Sequence, residues 1–285
     1  MTVHLLGAAE IRALAAELDV TPTKKLGQNF VHDPGTVRKI VAAASVTADD
    51  RVVEVGPGLG SLTLAILETG ARVTAVEIDH RLAARLPQTA ADHGVEDGAL
   101  TVVDADALTI TSLPGEPTVL VANLPYNVSV PVLLHFMETF PRLDRGVVMV
   151  QAEVGERLAA GPGSKVYGAP SVKASWYGDW RLVGTVSRMV FWPVPNVDSV
   201  LVGFARAHAA RGTEAERQTT FRIVDAAFQQ RRKMLRQALS GVLGGSSAAA
   251  SALLESADVA PTARGEDLTV EDYLRIARAA ASLGG

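Results

Sequence analysis

The stretch Asn123-Leu124-Pro125-Tyr126 has residue types that could activate an aromatic amine. Such an amine is a poor nucleophile because its lone pair is delocalised into the ring. Two acceptors aimed at its two hydrogens would draw the nitrogen toward tetrahedral geometry and localise that pair. The Asn123 side-chain oxygen and the Leu124 carbonyl are suited to this. Pro125 fixes its own φ and restricts Leu124 to an extended conformation, which holds the carbonyl in place. Tyr126 offers a flat face on which a base could stack. Methyl transfer to the amine then depends mainly on positioning and electrostatics, and its proton can leave to water afterwards. An ordinary turn would also use Asn and Pro, so the meaning of the four residues depends on what precedes them.

Three earlier features form a series with it. Val52-Val53-Glu54-Val55-Gly56-Pro57-Gly58-Leu59-Gly60 reads as a buried strand entering a helix. Glycines there let the backbone turn sharply and approach a ligand, beside the free N–H groups of a helix N-terminus. A plain strand–helix turn would look the same. Glu77 closes the next strand, where it can accept from ribose hydroxyls. Asp106 lies just past the third, where it can accept from an adenine amine. Ligands of open α/β sheets bind at such strand ends. NAD would satisfy the first two features, and the fourth strand, ending at Asn123, favours amine methylation.

The elements needed to position these residues can be read in the pattern. Candidate strands are 51–56, 71–78, 99–103, 118–122, 145–150, 184–191 and 197–204. Helices are expected over 34–46, 60–69, 79–93, 129–140 and 152–160, after a helical N-terminal stretch in 1–20. Alternation of this kind predicts a parallel sheet covered on both faces. The last two strands, joined through Pro193 and Pro195, predict an antiparallel hairpin at its edge, as in the methyltransferase variant of the doubly wound sheet. From about 206 the strand pattern stops, and helices near 214–230, 231–243, 247–256 and 270–282 predict a small all-α C-terminal domain. The expected organisation is an N-terminal extension 1–22, a catalytic domain 23–205 and a helical domain 206–285.

Composition narrows the chemistry. The 285 residues include no cysteine, which removes disulfides, thiolate metal sites and a cysteine nucleophile. His4, His32, His80, His93, His135 and His208 show no ligand spacing, so no metal site is expected. No apolar run is long enough to cross a membrane, and no signal-peptide pattern opens the chain; a soluble cytoplasmic protein, without a membrane partner, is expected. The net charge of −4 does not favour nucleic acid, but it is unevenly spread. Residues 205–285 carry 11 Lys/Arg against 9 Asp/Glu, whereas 1–204 carry 16 against 22. Arg222, Arg231, Arg232, Lys233 and Arg236 cluster around a helix whose apolar stripe is Val224, Ala227, Phe228, Leu235 and Leu239. A solvated helix face would also explain this cluster. Beside a base-binding domain it points to phosphate contacts, which Lys24 and Lys25 would extend.

Taken together, the motifs resemble those of the ribosomal RNA adenine N6,N6-dimethyltransferases, closest to the KsgA-type enzymes of small-subunit (16S) rRNA. The resemblance is carried by Gly27-Gln28-Asn29-Phe30, Gly56-Pro57-Gly58-Leu59-Gly60, Glu77, Asp106 and Asn123-Leu124-Pro125-Tyr126-Asn127. It continues in Gly161-Pro162-Gly163-Ser164-Lys165 with Tyr167-Gly168, in Phe191-Trp192-Pro193-Val194-Pro195 with Val197-Asp198-Ser199, and in Phe228 with Arg231-Arg232-Lys233. It runs from about residue 22 to the end. It implies a Rossmann-like class I methyltransferase sheet using S-adenosylmethionine, bound by Asn29, the backbone of Val31, Gly56, Glu77, Asp106 and Asn123. It also implies that Phe191 faces Tyr126 to sandwich the target base. Phe191 on its own reads as core; the stiff Pro-x-Pro context favours presentation at the site.

The activity so implied is dimethylation of two adjacent adenosines near the 3′ end of small-subunit rRNA, in an assembling subunit, by an enzyme expected to be monomeric. Three departures from the family pattern stand out: Ala122 where Gly is usual, Ala152 where Lys is common, and Ala169-Pro170 in place of Arg-Leu. They bear on cofactor approach and RNA affinity more than on the reaction. Two other readings share the core motifs. One is a large-subunit rRNA adenine methyltransferase of the antibiotic-resistance type. The other is a ribosome-assembly factor in which catalysis is secondary.

Overall fold

A computed structural model of the chain describes residues 3–20 and 29–282. Lys24, Lys25, Gly27 and Gln28 lie outside the described residues. The helices and strands, in chain order, are α1 (Ala8–Glu17), β1 (Phe30–Val31), α2 (Pro34–Ala43), β2 (Arg51–Val55), α3 (Ser61–Leu67), β3 (Arg72–Glu77), α4 (His80–Asp92), β4 (Leu100–Asp104), β5 (Val119–Asn123), α5 (Ser129–Thr139), β6 (Arg145–Gln151), α6 (Ala152–Leu158), α7 (Ala169–Tyr177), β7 (Gly178–Val186), β8 (Phe191–Trp192), β9 (Ser199–Arg206), α8 (Glu214–Gln229), α9 (Leu235–Ala238), α10 (Ser247–Ser256) and α11 (Val270–Ser282).

Seven strands form one sheet in the order β4-β3-β2-β5-β6-β9-β7. β2, β3, β4, β5 and β6 run parallel, and β9 pairs antiparallel with β6 from Arg145↔Ala205 to Gln151↔Ser199. The order reverses between β2 and β5, where ligands of such sheets bind. Burial explains the strand sequences: all of β2 except its first residue is buried, as a strand covered on both faces requires. Glu54 sits inside that apolar run at 1% exposure.

The chain divides into two compact units, one ending at Gly155 and resuming over Arg181–Arg206, the other made of Glu156–Trp180 and the residues from Ala207 on. The expected boundary at 205 leaves 156–180 with the catalytic domain; the structure places it with the C-terminal helices. Side chains supply the reason. Trp176 and Tyr177 of α7 make edge contacts with Phe221 of α8, Lys173 pairs with Asp225 at 2.7 Å, and the Tyr167 hydroxyl donates to the Leu268 carbonyl. Pro170, one of the departures from the family pattern, occupies the first turn of α7, where a missing N–H is harmless. The N-terminal stretch belongs to the first unit: Leu6, Ile11, Leu14 and Val20 are buried with Phe30, Leu59, Leu64 and Leu82.

Two further expectations need correction. The sixth sheet strand is 178–186 and not 184–191; Arg188–Val190 is a single 3₁₀ turn, followed by β8, which pairs with β1. The helix expected over 231–243 is reduced to Leu235–Ala238, because α8 ends at Gln229, Gln230–Lys233 form a turn, and Met234 is extended.

Candidate methyl-transfer site

The ends of β2, β3, β4 and β5 open into one cleft. Asn29, Val31, Gly56, Glu77, Asp106, Asn123, Leu124, Pro125 and Tyr126 all line it. The turn after β2 needs its glycines: φ is +70° at Gly56 and +59° at Gly58, a region that residues with a Cβ rarely adopt. A Cβ on Gly58 would also come 2.9 Å from the Phe30 ring.

Glu77 holds this turn. Its Oε2 accepts from the Gly58 N–H at 3.0 Å, and its Oε1 accepts from the N–H groups of Ile78 and Asp79. Burial pushes its carboxyl above the usual range, against the pull of these donors. Asp106 accepts from the Leu108 N–H at 2.8 Å and stays partly exposed in the cleft. Ile78 and Leu108 line the same cleft with exposures of 52% and 37%, leaving apolar surface beside both acids. Sequence reasoning missed these two; the available signal was an apolar residue shortly after each strand-end acid.

At the end of β5 the Asn123 Nδ2 donates to the Asn29 carbonyl at 3.2 Å. With the amide nitrogen so engaged, Oδ1 is the acceptor left for a ligand. The Leu124 N–H donates to the Met149 carbonyl at 3.1 Å, which ties the loop to β6. The Tyr126 hydroxyl is 2.7 Å from Ser199 Oγ, and burial raises its pKa, so it remains a neutral phenol.

Glu54 and Ser61 also line the cleft, and sequence reasoning missed both as site residues. Glu54 Oε2 and Ser61 Oγ are buried without a hydrogen-bond partner among the described residues. Burial, helped by the nearby Glu77 charge, pushes the Glu54 carboxyl up to about 8. A buried carboxyl oxygen without a partner is costly unless a ligand completes it. The amino-acid end of S-adenosylmethionine carries an ammonium and a carboxylate, complementary to this acid and hydroxyl. Glu77 and Asp106 offer acceptors for its adenosine end. The residues present fit that cofactor.

Phe191 is not brought to the cleft. It is 1% exposed, in register with Val31, and packed in the core that includes Val37, Ile40 and Leu201. The β1–β8 pairing turns it inward, a long-range contact that the Pro-x-Pro pattern does not reveal. In this arrangement it does not face Tyr126. Trp192 stacks on Phe30 instead, with ring centroids 6.3 Å apart.

In the helical unit the basic residues separate into two kinds. Arg231 is committed internally, with Nε on Glu266 at 2.8 Å and a second nitrogen donating to the Lys165 carbonyl. Arg222, Arg232 and Lys233 are exposed, and Arg236 is half-buried. Among the described residues no group of three or more His, Asp or Glu side chains could hold a metal ion, and no helix is long and apolar enough to cross a membrane.

The family model described as ribosomal RNA adenine dimethylase matches residues 21–282. A ribosomal RNA small subunit methyltransferase A from Leifsonia xyli subsp. xyli is 66% identical over 96% of this chain and 98% of its own length. The protein of the same description from Thermobifida fusca is 61% identical over 96% of both. Among solved structures, a dimethyladenosine transferase from Plasmodium falciparum superposes with a TM-score of 0.75 at 25% identity, covering 87% of this chain and 95% of that one. The 23S rRNA methyltransferase ErmE gives 0.65 at 26%, covering 89% and 100%. With its sheet order, cleft and family match in agreement, the chain belongs to the ribosomal RNA adenine dimethylase family and is an S-adenosylmethionine-dependent methyltransferase.

Proposed function

We propose that this chain dimethylates the N6 amines of two adjacent adenosines near the 3′ end of small-subunit rRNA, with an assembling subunit as substrate. The observation that carries the reading is the hydrogen bond from Asn123 Nδ2 to the Asn29 carbonyl, which leaves Oδ1 as an acceptor beside the Leu124–Pro125 carbonyl loop. Bound S-adenosylmethionine supplies the electrophilic methyl. Asn123 Oδ1 and the Leu124 carbonyl accept from the target amine and localise its lone pair, and the Tyr126 ring supports the base. Glu77 fixes the glycine turn and receives a ribose hydroxyl, while Asp106 accepts from the cofactor's adenine. The amine proton leaves to water after transfer. Arg222, Arg232, Lys233 and Arg236 contact rRNA phosphates. The small-subunit choice is supported by relatives of that description at 66% and 61% identity, against 26% for the large-subunit enzyme.

Primer-extension mapping of modified adenines in a strain lacking this chain checks the target. Loss of a modified adenosine pair from small-subunit rRNA is expected, restored by the wild-type chain and not by Asn123→Ala. A loss confined to large-subunit rRNA would overturn the reading. Restoration of assembly without methylation by Asn123→Ala would favour an assembly role.

A further inference from the structure

We propose that Ser199 is a positioning residue for methyl transfer, fixing through its hydroxyl the orientation in which Tyr126 meets the target base. The inference rests on Tyr126 being the stacking face, as read above. Tyr126 sits in the loop between β5 and α5, half-buried at the cleft. A ring attached to a loop by one bond can swing about χ1 and turn about χ2. A hydrogen bond at its far end removes much of that freedom, and the Tyr126 hydroxyl makes one with Ser199 Oγ at 2.7 Å.

The anchor is well placed for this. Ser199 is 1% exposed, opens β9, and is in register with Gln151 of β6. Immediately before it, the Asp198 carbonyl accepts from the Ala152 N–H at 3.0 Å. The hydroxyl is therefore held by the sheet and not by the loop that it steadies. This gives the Phe191–Ser199 segment a role that its buried phenylalanine does not fill: it ends by delivering Ser199 to Tyr126. Ser199 itself does not line the cleft lined by Tyr126, so its effect passes through the ring.

Ser199→Ala, Tyr126→Phe and the double variant each delete the same hydrogen bond. They are to be assayed for methyl transfer to unmethylated small subunits, with cofactor affinity measured by calorimetry and stability by thermal unfolding. Each single variant is expected to lower kcat about fivefold, the equivalent of about 1 kcal/mol. The double variant should fall no further than the lower single variant, because the coupled pair is lost once. Cofactor affinity should be unchanged. Wild-type kcat in Ser199→Ala, losses that multiply in the double variant, or an effect confined to thermal stability would each overturn the proposal. Tyr126→Ala separates the two levels. Wild-type turnover in that variant would sink the stacking reading itself, whereas impaired Tyr126→Ala beside unimpaired Ser199→Ala would sink only the role of Ser199.

Discussion

Glu54 is the residue whose chemistry is furthest from its ordinary behaviour. Its folded pKa of about 8 stands above the usual 4.5, so the folded protein holds this proton where the unfolded chain has released it. The sign follows from linkage: the stability this group contributes is full below about pH 4.5 and is lost as pH rises through about 8. A cofactor ammonium placed beside Glu54 would favour the ionised carboxylate and release the proton. Calorimetry in buffers of different ionisation enthalpy should show proton release near neutral pH, with affinity rising toward pH 8. Glu54→Gln should abolish both effects, and a pH-independent wild-type affinity would count against this assignment. Much of the site was legible because it lies at strand ends: Glu77, Asp106 and Asn123 can be placed by counting strands. Glu54 was not, because its significance comes from total burial. Phe191 was misread because its direction is set by pairing with Val31, far away in sequence.

At the scale of elements, the strands that hold the site are legible as apolar runs bounded by turn residues, and β7, at the edge far from them, is not. β7 has a largely exposed, irregular burial pattern, so its sequence carries little period-2 signal. α7 is short, Ala169–Tyr177, and follows a glycine-rich loop, which hid it. Close packing between strands is equally invisible. At Gly146 of β6 an added Cβ would lie 2.2 Å from the Leu120 carbonyl oxygen of β5 and 2.6 Å from the Phe204 ring of β9. Backbone cannot yield as a flexible side chain does. Gly146→Ala should therefore destabilise the protein by about 3 kcal/mol, at the upper end for overpacking. Denaturant unfolding measures this, and a midpoint equal to wild type would show that the sheet relaxes freely there.

For the whole molecule, the division of the chain bears on how RNA binding is distributed. The segment 156–180 folds with the C-terminal helices, and Arg231 helps to hold it by bridging Glu266 and the Lys165 carbonyl, while Gly163 donates to the Glu266 carbonyl. Sequence could show a basic cluster, but not which of its members are spent on the protein itself. Arg231→Ala should cost about 1 kcal/mol of stability, since the pair is partly exposed. Arg232→Ala and Lys233→Ala should leave stability unchanged, and each should weaken RNA binding and reduce its salt slope by about 1. Equal salt slopes in wild type and both variants would remove these residues from the RNA surface. The most direct test of the whole account is transfer of labelled methyl from S-adenosylmethionine to purified unmethylated ribosomal subunits, wild type against Asn123→Ala. Wild type is expected to dimethylate adenosines of small subunits and leave large subunits unlabelled, and Asn123→Ala to bind small subunits without labelling them. Labelling of large subunits alone, or wild-type rates from Asn123→Ala, would contradict it.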